Sequence, residues 1–191
     1  MLTKDEKILH FSMLLLTQIN PPLKARLNVN QLAAQLGVSR PWVYKYFGSS
    51  TEAMFLTAID AIAPMLTELG KPTDDIKTKR DWAKSFLKGL DQTLQEVEAY
   101  PDLFRFYFAC HVQPTIYLDR IRHHEGLFLE HKTIPPLKSI FGLSYLEARN
   151  FAEMLMATRM GLVLKWLNEP HRTPQARQKL VSTLRLRVFN Q

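Results

Sequence analysis

The chain has 191 residues, of which 46% are hydrophobic, and its formal net charge is +7. This composition excludes a disordered chain, and the single cysteine, Cys110, excludes an intramolecular disulfide and a zinc site built from several thiolates. No stretch is apolar over the roughly 18 residues that a transmembrane helix needs, so we expect no membrane partner. The single cysteine favours a reducing, cytoplasmic setting.

Apolar residues recur at steps of three and four, while glycine is scarce and β-branched runs are short. This pattern predicts an all-α protein. The first helix is expected from about Lys4 to Ile19, because Pro21-Pro22 cannot continue it. Asn28 is a suitable cap for a second helix, which is predicted to end at Gly37.

A third and a fourth helix are predicted to follow directly. Ser39 is placed to cap the third, with Pro41 in its first turn, where a backbone N–H is not needed. The spacing of Ser49 and Glu52 is that of a capping box, so it predicts the start of a fourth helix. This helix should reach the segment GKPTDD at 70–75, which we predict to be a loop between a small N-terminal unit and a larger one.

The remainder of the chain is also predicted to be helical. The apolar stripe from Trp82 to Val97 indicates one helix, and the aromatic segment DLFRFYFACHV follows it. A further helix is expected at about 115–132, ending before Pro135-Pro136. Two long helices are then predicted at about 144–168 and 173–189.

Residues 37–47 read GVSRPWVYKYF, in which a turn leads into a short helix crowded with aromatic and basic side chains. Leu32 and Val43 are spaced to pack this helix against the preceding one. That is the helix-turn-helix arrangement, in which the second helix lies in the DNA major groove. Once Val43 and Phe47 face inward, the remaining side chains surround the outside: Arg40, Pro41, Trp42, Tyr44 and Lys45.

The stretch LAAQLGVSRPWVYKYFGSS resembles the DNA-binding signature of TetR-type transcriptional regulators, with its Leu-Ala pair, its Gly-Val-Ser turn and its Tyr-Phe before a fourth helix. The length, the single helix-turn-helix and the larger helical remainder are also similar to that family. The resemblance implies a helix-turn-helix DNA-binding domain at 1–50, a connecting helix at 51–70 and a helical effector-binding and dimerisation domain at 71–191.

The resemblance also implies a set of DNA-contacting residues. Asn28 and Tyr46 would contact phosphate, and Tyr44 would lie at the groove edge. The positions that approach bases are Asn30, Arg40, Pro41, Trp42 and Lys45. Ser50 stands where members commonly carry a lysine that holds the DNA backbone, and it is included in the candidate interface.

The chemistry of three of these side chains suits base edges. Arg40 is able to reach guanine O6 and N7, Asn30 an adenine, and Trp42 a thymine methyl group. Alternatively, Trp42 or Tyr44 packs on the first helix and Arg40 contacts only phosphate.

The resemblance further implies a homodimer whose C-terminal domain binds a small effector and alters the spacing of two DNA-reading units. A ligand that prefers the non-binding spacing lowers the affinity for DNA. The candidate pocket residues are Phe86, Leu90, Phe104, Tyr107, Phe108, His111, Tyr117, Phe128, Met154 and Thr158. Such an apolar wall with few polar groups suits a flat or oily ligand. Alternatively, most of these side chains simply fill the core.

The predicted helix at 144–168 is apolar on more than one face, which indicates burial on more than one side. A helix this close to the end of a small protein has few internal partners. We therefore predict that it forms a dimer interface together with the following helix. The candidate interface residues are Phe151, Leu155, Leu162, Trp166, Leu180 and Leu184.

Motifs for chemistry are scarce. Histidines cluster between His111 and His131, but no thiolate pair or carboxylate–histidine motif accompanies them, so we predict no metal site. The sequence contains no Gly-x-Gly-x-x-Gly, phosphate-loop, Gly-x-Ser-x-Gly or His-Glu-x-x-His motif. We therefore expect neither an enzyme nor a cofactor.

The predicted function is a sequence-specific transcriptional regulator, a repressor released from a palindromic operator in double-stranded DNA by a small apolar or aromatic effector. A second hypothesis is a dimeric DNA-associated scaffold that recruits a protein partner without a small ligand. A third is a helix-turn-helix kept for dimerisation, with reduced DNA binding. An empty cavity in the larger part favours the regulator, and a solidly packed interior favours the scaffold.

Overall fold

The computed structural model describes residues 2–18, 27–67, 76–112 and 115–188, with side chains as far as residue 183. These ranges contain helices and no β-strand, which confirms the predicted all-α class. The helices are α1 (Lys4–Thr17), α2 (Val29–Leu36), α3 (Arg40–Phe47), α4 (Thr51–Thr67), α5 (Lys79–Ala99), α6 (Pro101–Val112), α7 (Ile116–Phe128), α8 (Ile134–Phe141), α9 (Tyr145–Leu167) and α10 (Pro174–Val188), with a π-helical turn at Leu129–Thr133. None of the described helices is long and apolar enough to cross a bilayer. The predicted break at Pro21-Pro22 and the predicted loop at 70–75 lie outside the described residues.

The two short helices α2 and α3 begin and end as local capping rules predict. The side chain of Asn28 accepts a hydrogen bond from the Gln31 backbone N–H at the start of α2. Gly37 ends this helix in the left-handed conformation, with φ at 66°, which glycine adopts without strain. The Ser39 hydroxyl oxygen accepts from the Trp42 N–H at the start of α3. The predicted caps are thus confirmed.

The start of α4 differs by one residue from the prediction. Ser50, rather than Ser49, is the cap, and its hydroxyl oxygen accepts a hydrogen bond from the Ala53 N–H at 3.1 Å. The turn before it requires Gly48, whose φ is 84° and whose added Cβ would lie 2.9 Å from the Ala53 Cβ. Because this turn takes in Ser49, the box that the Ser49–Glu52 spacing predicts is not used.

The helix expected at 115–132 does not end before Pro135-Pro136. Instead, α7 passes through the π-helical turn into α8, which begins at Ile134 and holds both prolines in its first turn. Prolines are tolerated there because first-turn N–H groups have no partner within the helix. α8 is absent from the predicted elements, and it ends at Gly142, whose φ is 69°.

The chain forms two compact units, the first from Met1–Leu66 and Asp102–His124 and the second from Thr67–Pro101 and Glu125–Gln191. In the first unit, Phe11 on α1 and Phe47 on α3 are buried, and their ring centres lie 4.6 Å apart. This contact joins α1 to α3. The predicted domain boundaries at residues 50 and 70 stay predictions.

The core of the second unit is built from α5, α8 and α9. Its buried cluster consists of Trp82, Ile134, Leu137, Ala148, Ala152 and Leu155. Trp166 on α9 donates its indole N–H to the Leu94 carbonyl at 3.2 Å. Arg177 on α10 donates to Asp91 and Glu98 on α5 at 2.9 and 2.6 Å. These contacts hold α9 and α10 against α5.

Candidate functional site

The helix α3 has an apolar inner face and a polar outer face. Val43 and Phe47, one turn apart, are buried in the first unit. Pro41 and Lys45 are exposed on the other side of the helix, and Arg40 is exposed in its first turn, on the flank next to Val43. Because the inner face is fixed by packing, the outer side chains have a fixed direction along the helix.

Arg40 and Tyr44 form a pair on one flank of α3. Nε of Arg40 donates to the Tyr44 hydroxyl oxygen at 2.7 Å, and the guanidinium lies 5.1 Å from the ring centre. Both side chains line an open cleft of about 490 Å³, whose other walls are Leu27, Asn28, Val29 and Asn30. The structure therefore brings Arg40 and Tyr44 together with two asparagines that were also predicted to contact DNA.

Trp42 and Tyr46 lie about half a turn round α3 from that pair. Their ring centres are 4.9 Å apart, and the Trp42 ring is also 6.2 Å from that of Phe47. Both side chains are half-buried. The ammonium groups of Lys4 and Lys45 lie 4.9 and 5.4 Å from the centre of the Tyr46 ring. Trp42 is therefore partly engaged in packing within the unit.

The stretch that contains α2 and α3 carries no negative side chain. Residues 7–51 hold five basic residues and no acidic ones. The acids of the first 60 residues stand at positions 5, 6, 52 and 60, outside this stretch. Because these four acids are included in the net charge of residues 1–60, that sum hides the excess of basic residues at 7–51. A stretch of chain with basic residues and no acidic ones attracts phosphate.

Half of the candidate pocket residues belong to the first unit: Phe104, Tyr107, Phe108, His111 and Tyr117. Phe104 and Tyr107 are buried, and Nδ1 of His111 lies 3.0 Å from the Tyr107 carbonyl oxygen. Burial raises the pKa of Tyr117, and the charge of Glu52 adds to the effect. Burial also raises the pKa of the Cys110 thiol to about 12, so it is not a thiolate at neutral pH.

Phe86 and Phe128 belong to the second unit and line one small cavity there. Its volume is about 50 Å³, and its wall is mainly apolar. The polar members of the wall are Ser85, Lys132 and Thr133. The last two come from the π-helical turn, so the turn brings the polar groups to the cavity.

The other three candidates in the second unit lie elsewhere. Leu90 is fully buried in α5. Met154 is exposed on α9, and the Thr158 hydroxyl donates to the Met154 carbonyl at 2.9 Å. None of these three is among the described residues that line the cavity.

The apolar side chains predicted for a dimer interface lie mostly on the inner face of α9. Leu155 and Trp166 are buried within the chain. Phe151 is half-buried, with its ring centre 6.3 Å from that of Trp82. Leu162 and Leu180 are half-buried, and the side chain of Leu184 lies outside the described residues. Leu155 and Trp166 therefore stabilise the chain's own fold.

A different stripe of α9 faces outward. It follows steps of three and four along the helix and consists of Leu146, Asn150, Met154, Ala157, Gly161 and Leu164. Leu146, Met154 and Leu164 are 65%, 51% and 42% exposed. A Cβ added at Gly161 would meet no atom within 4 Å. The outward stripe is thus apolar or small at all but one position.

A charged cluster within the first unit joins α4 to α7. The Asp60 carboxylate accepts hydrogen bonds from Arg120 at 2.5 and 2.6 Å, and Nε2 of His124 lies 2.7 Å from it. Burial alone would raise the pKa of Asp60, but the hydrogen bonds from Arg120 and His124 hold it below its ordinary value. Nothing in the sequence pairs Asp60 with side chains some sixty positions later.

Metal chemistry finds no support in the described part of the chain, where no group of three or more His, Cys, Asp or Glu side chains is placed to hold an ion. Comparisons of the chain with models of protein families, with curated proteins and with solved structures gave no match. The functional interpretation therefore rests on residue chemistry and geometry.

Proposed function

We propose that the chain is a sequence-specific DNA-binding regulator of the TetR type, in which α2 and α3 form the helix-turn-helix and α3 enters the major groove. The observation that carries the proposal is the open cleft that Arg40 and Tyr44 share with the start of α2. Guanidinium and amide groups are the side chains that read guanine and adenine. The acid-free stretch at 7–51 supports attraction to phosphate.

We assign the following roles to individual residues from their chemistry and their exposure. Arg40 reads a guanine and Asn30 an adenine from the two sides of the cleft. Asn28 and Tyr46 contact phosphate, as does Lys45, whose ammonium group is exposed beside α3. Ser50 caps α4, where its hydroxyl oxygen accepts the Ala53 N–H, and its own O–H is still able to donate to phosphate.

A homodimer is part of the proposal, because a palindromic operator requires two copies of α3 about 34–36 Å apart. The exposed stripe on α9 supports a second copy as its partner. Its small residues, Ala157 and Gly161, allow two helices to approach closely, and its leucines and methionine supply apolar area. A two-fold axis through such a stripe would bring it against itself.

The effector site is proposed at the cavity lined by Phe86 and Phe128, and the ligand is a small apolar or aromatic molecule. π-Helical turns occur frequently at functional sites, and this one supplies the polar groups Lys132 and Thr133. A volume of about 50 Å³ holds roughly three water molecules. A ligand must therefore widen the cavity, and it lowers DNA affinity only if the widened state positions α3 differently.

The small size of the cavity is also the observation that favours the alternative, a dimeric DNA-associated scaffold that recruits a protein partner. Drug-sized ligands occupy pockets of about 300–1,000 Å³. If no small molecule enters the second unit, its function is to support the dimer and to present a surface. The two functions share the DNA-binding step and differ only in the second unit.

Selection of genomic DNA fragments by the purified protein tests the shared step. The control is the double variant Arg40→Ala/Lys45→Ala, whose substitutions lie on the exposed face of α3. We expect a palindromic site recovered by the unmodified protein alone. Equal enrichment by both proteins, or no enrichment, would contradict DNA reading by α3. Release of the selected fragment by a panel of small aromatic compounds then separates the regulator from the scaffold.

A further inference from the structure

A lysine at the start of α1 lies close to Tyr46, on one flank of α3. Lys4 is the first residue of α1, and its ammonium group is 4.9 Å from the centre of the Tyr46 ring. Lysine is unfavourable in the first turn of a helix, because the N-terminal end of the helix is itself positive. A residue that breaks a local rule in this way indicates a function elsewhere in the fold.

A capping box holds the N-terminal end of α1, so the backbone at Lys4 is fixed. The Thr3 hydroxyl oxygen accepts from the Glu6 N–H, and the Glu6 carboxylate accepts from the Thr3 N–H at 2.7 Å. The hydrogen bond from the Thr3 backbone lowers the pKa of Glu6, and that from the Thr3 side chain adds to it. The Glu6 carboxylate is therefore occupied at the cap, which leaves Asp5 as the other acid in this turn.

Two positive charges lie close to the Tyr46 ring. Lys45 lies 5.4 Å from the same ring centre, and both lysines are exposed. Each ammonium group gains a modest attraction from the ring and remains available to an anion in solvent. The chain thus presents two exposed cations close to one aromatic ring on a flank of α3.

We propose that Lys4 is a DNA-backbone contact and that it forms, with Lys45 and Tyr46, a phosphate-binding surface on the flank of α3 opposite the Arg40 cleft. This inference rests on the proposed function, because it assumes that α3 lies in a DNA groove. The partner is the phosphodiester backbone of a duplex. A helix in the major groove has a phosphate strand on each side, so one flank of α3 faces a strand.

A contact of this kind has a measurable signature. A lysine that neutralises one phosphate changes the slope of log K against log salt concentration by about 0.9 for duplex DNA. The effect is the same for every sequence, because the backbone carries no sequence information. Substitution of Lys4 should therefore weaken specific and non-specific binding in equal proportion.

The experiment measures the binding of a fluorescent mixed-sequence DNA duplex by anisotropy at a series of salt concentrations. Lys4→Gln removes the charge, Lys4→Arg keeps it, and Lys7→Gln removes the same charge one turn further along α1. We expect the slope to fall by about 0.9 for Lys4→Gln and to stay unchanged for the other two. Circular dichroism at each condition verifies that the variants are folded.

Each other result overturns the inference. An unchanged slope for Lys4→Gln means that Lys4 does not reach phosphate, and the proposed function would stand without it. An equal fall for Lys4→Gln and Lys7→Gln means a general charge effect rather than a contact. No binding by the unmodified protein to this duplex or to any selected genomic fragment would overturn both the inference and the proposed function.

Discussion

Arg40 and Tyr44 lie one turn apart on α3, and the tyrosine hydroxyl holds the guanidinium at 2.7 Å through Nε. This hydrogen bond uses Nε of Arg40, so the N–H groups of the two terminal nitrogens stay available for the O6 and N7 atoms of a guanine. Under the proposed function, we therefore expect Tyr44 to act mainly by positioning Arg40.

Tyr44→Phe tests this positioning, since it keeps the ring and removes the hydroxyl acceptor. We expect specific operator affinity to fall about threefold to tenfold, the value of one exposed hydrogen bond. Affinity for a mixed-sequence duplex should not change, because the charge of Arg40 is retained. Tyr145→Phe, which removes an exposed hydroxyl in the second unit, is the matched control. Equal losses on both duplexes would contradict a positioning role.

The inner face of α3 should carry stability rather than recognition. Phe47→Ala removes a buried ring that packs 4.6 Å from that of Phe11, so we expect the free energy of unfolding to fall by about 3–5 kcal/mol. Urea unfolding followed by circular dichroism measures this loss. Tyr100→Ala removes an exposed ring and should change it by less than about 0.5 kcal/mol. Similar values for the two variants would show that the Phe11–Phe47 contact is not part of the core.

The Asp60 cluster predicts a pH dependence of stability. Because the folded-state pKa of Asp60 is lowered, its ionised form stabilises the fold at neutral pH, and this contribution is lost as the pH falls below 3.8 towards the folded-state value. Asp60→Asn should be less stable than the unmodified protein at neutral pH, and the difference should shrink in acid. Urea midpoints across this range measure it. Asp102→Asn, in an exposed pair with Arg105, serves as the control. A constant difference at every pH would contradict the role of the carboxylate charge.

The outward stripe of α9 predicts a substitution that dissociates the proposed dimer. Gly161→Arg places a long side chain on that stripe without a clash inside the chain, and it replaces glycine with a better helix former. We therefore expect the dissociation constant of the dimer to rise at least tenfold while the monomer remains folded. Sedimentation velocity measures the change. Gly126→Arg is the matched control, because a Cβ at this glycine of α7 also meets no atom within 4 Å. A dimer unaffected by Gly161→Arg would place the interface elsewhere.

Local rules explain most of what could be predicted from the sequence. Asn28, Gly37 and Ser39 occupy their predicted places because capping depends on residues only a few positions away. For the same reason, the short helix between Gly37 and Phe47 could be identified together with the side chains on its outer face. The all-α class follows from the period of the apolar residues.

The features that could not be predicted depend on distant or unusual geometry. The pairing of Asp60 with Arg120 joins residues far apart in the sequence, and no local pattern indicates it. α8 was not predicted, because Pro135-Pro136 suggests the end of a helix. In the structure, the π-helical turn precedes α8, and both prolines lie in the first turn of α8. The wide apolar surface of α9 indicates that several of its faces are buried, but it does not identify the groups that cover them. Leu155 and Trp166 consequently turned out to face the chain's own core.

The central claim, that α3 reads bases through Arg40, is tested most directly by a cycle of protein and operator substitutions. Each G·C pair of the selected operator is replaced in turn, and the affinity of the unmodified protein and of Arg40→Ala is measured for every operator. We expect one G·C pair whose replacement weakens the binding free energy of the unmodified protein by about 1–3 kcal/mol. The same replacement should leave the binding free energy of Arg40→Ala unchanged. If Arg40→Ala instead weakens binding equally for all operators, Arg40 contacts only phosphate, and direct reading by this residue is wrong.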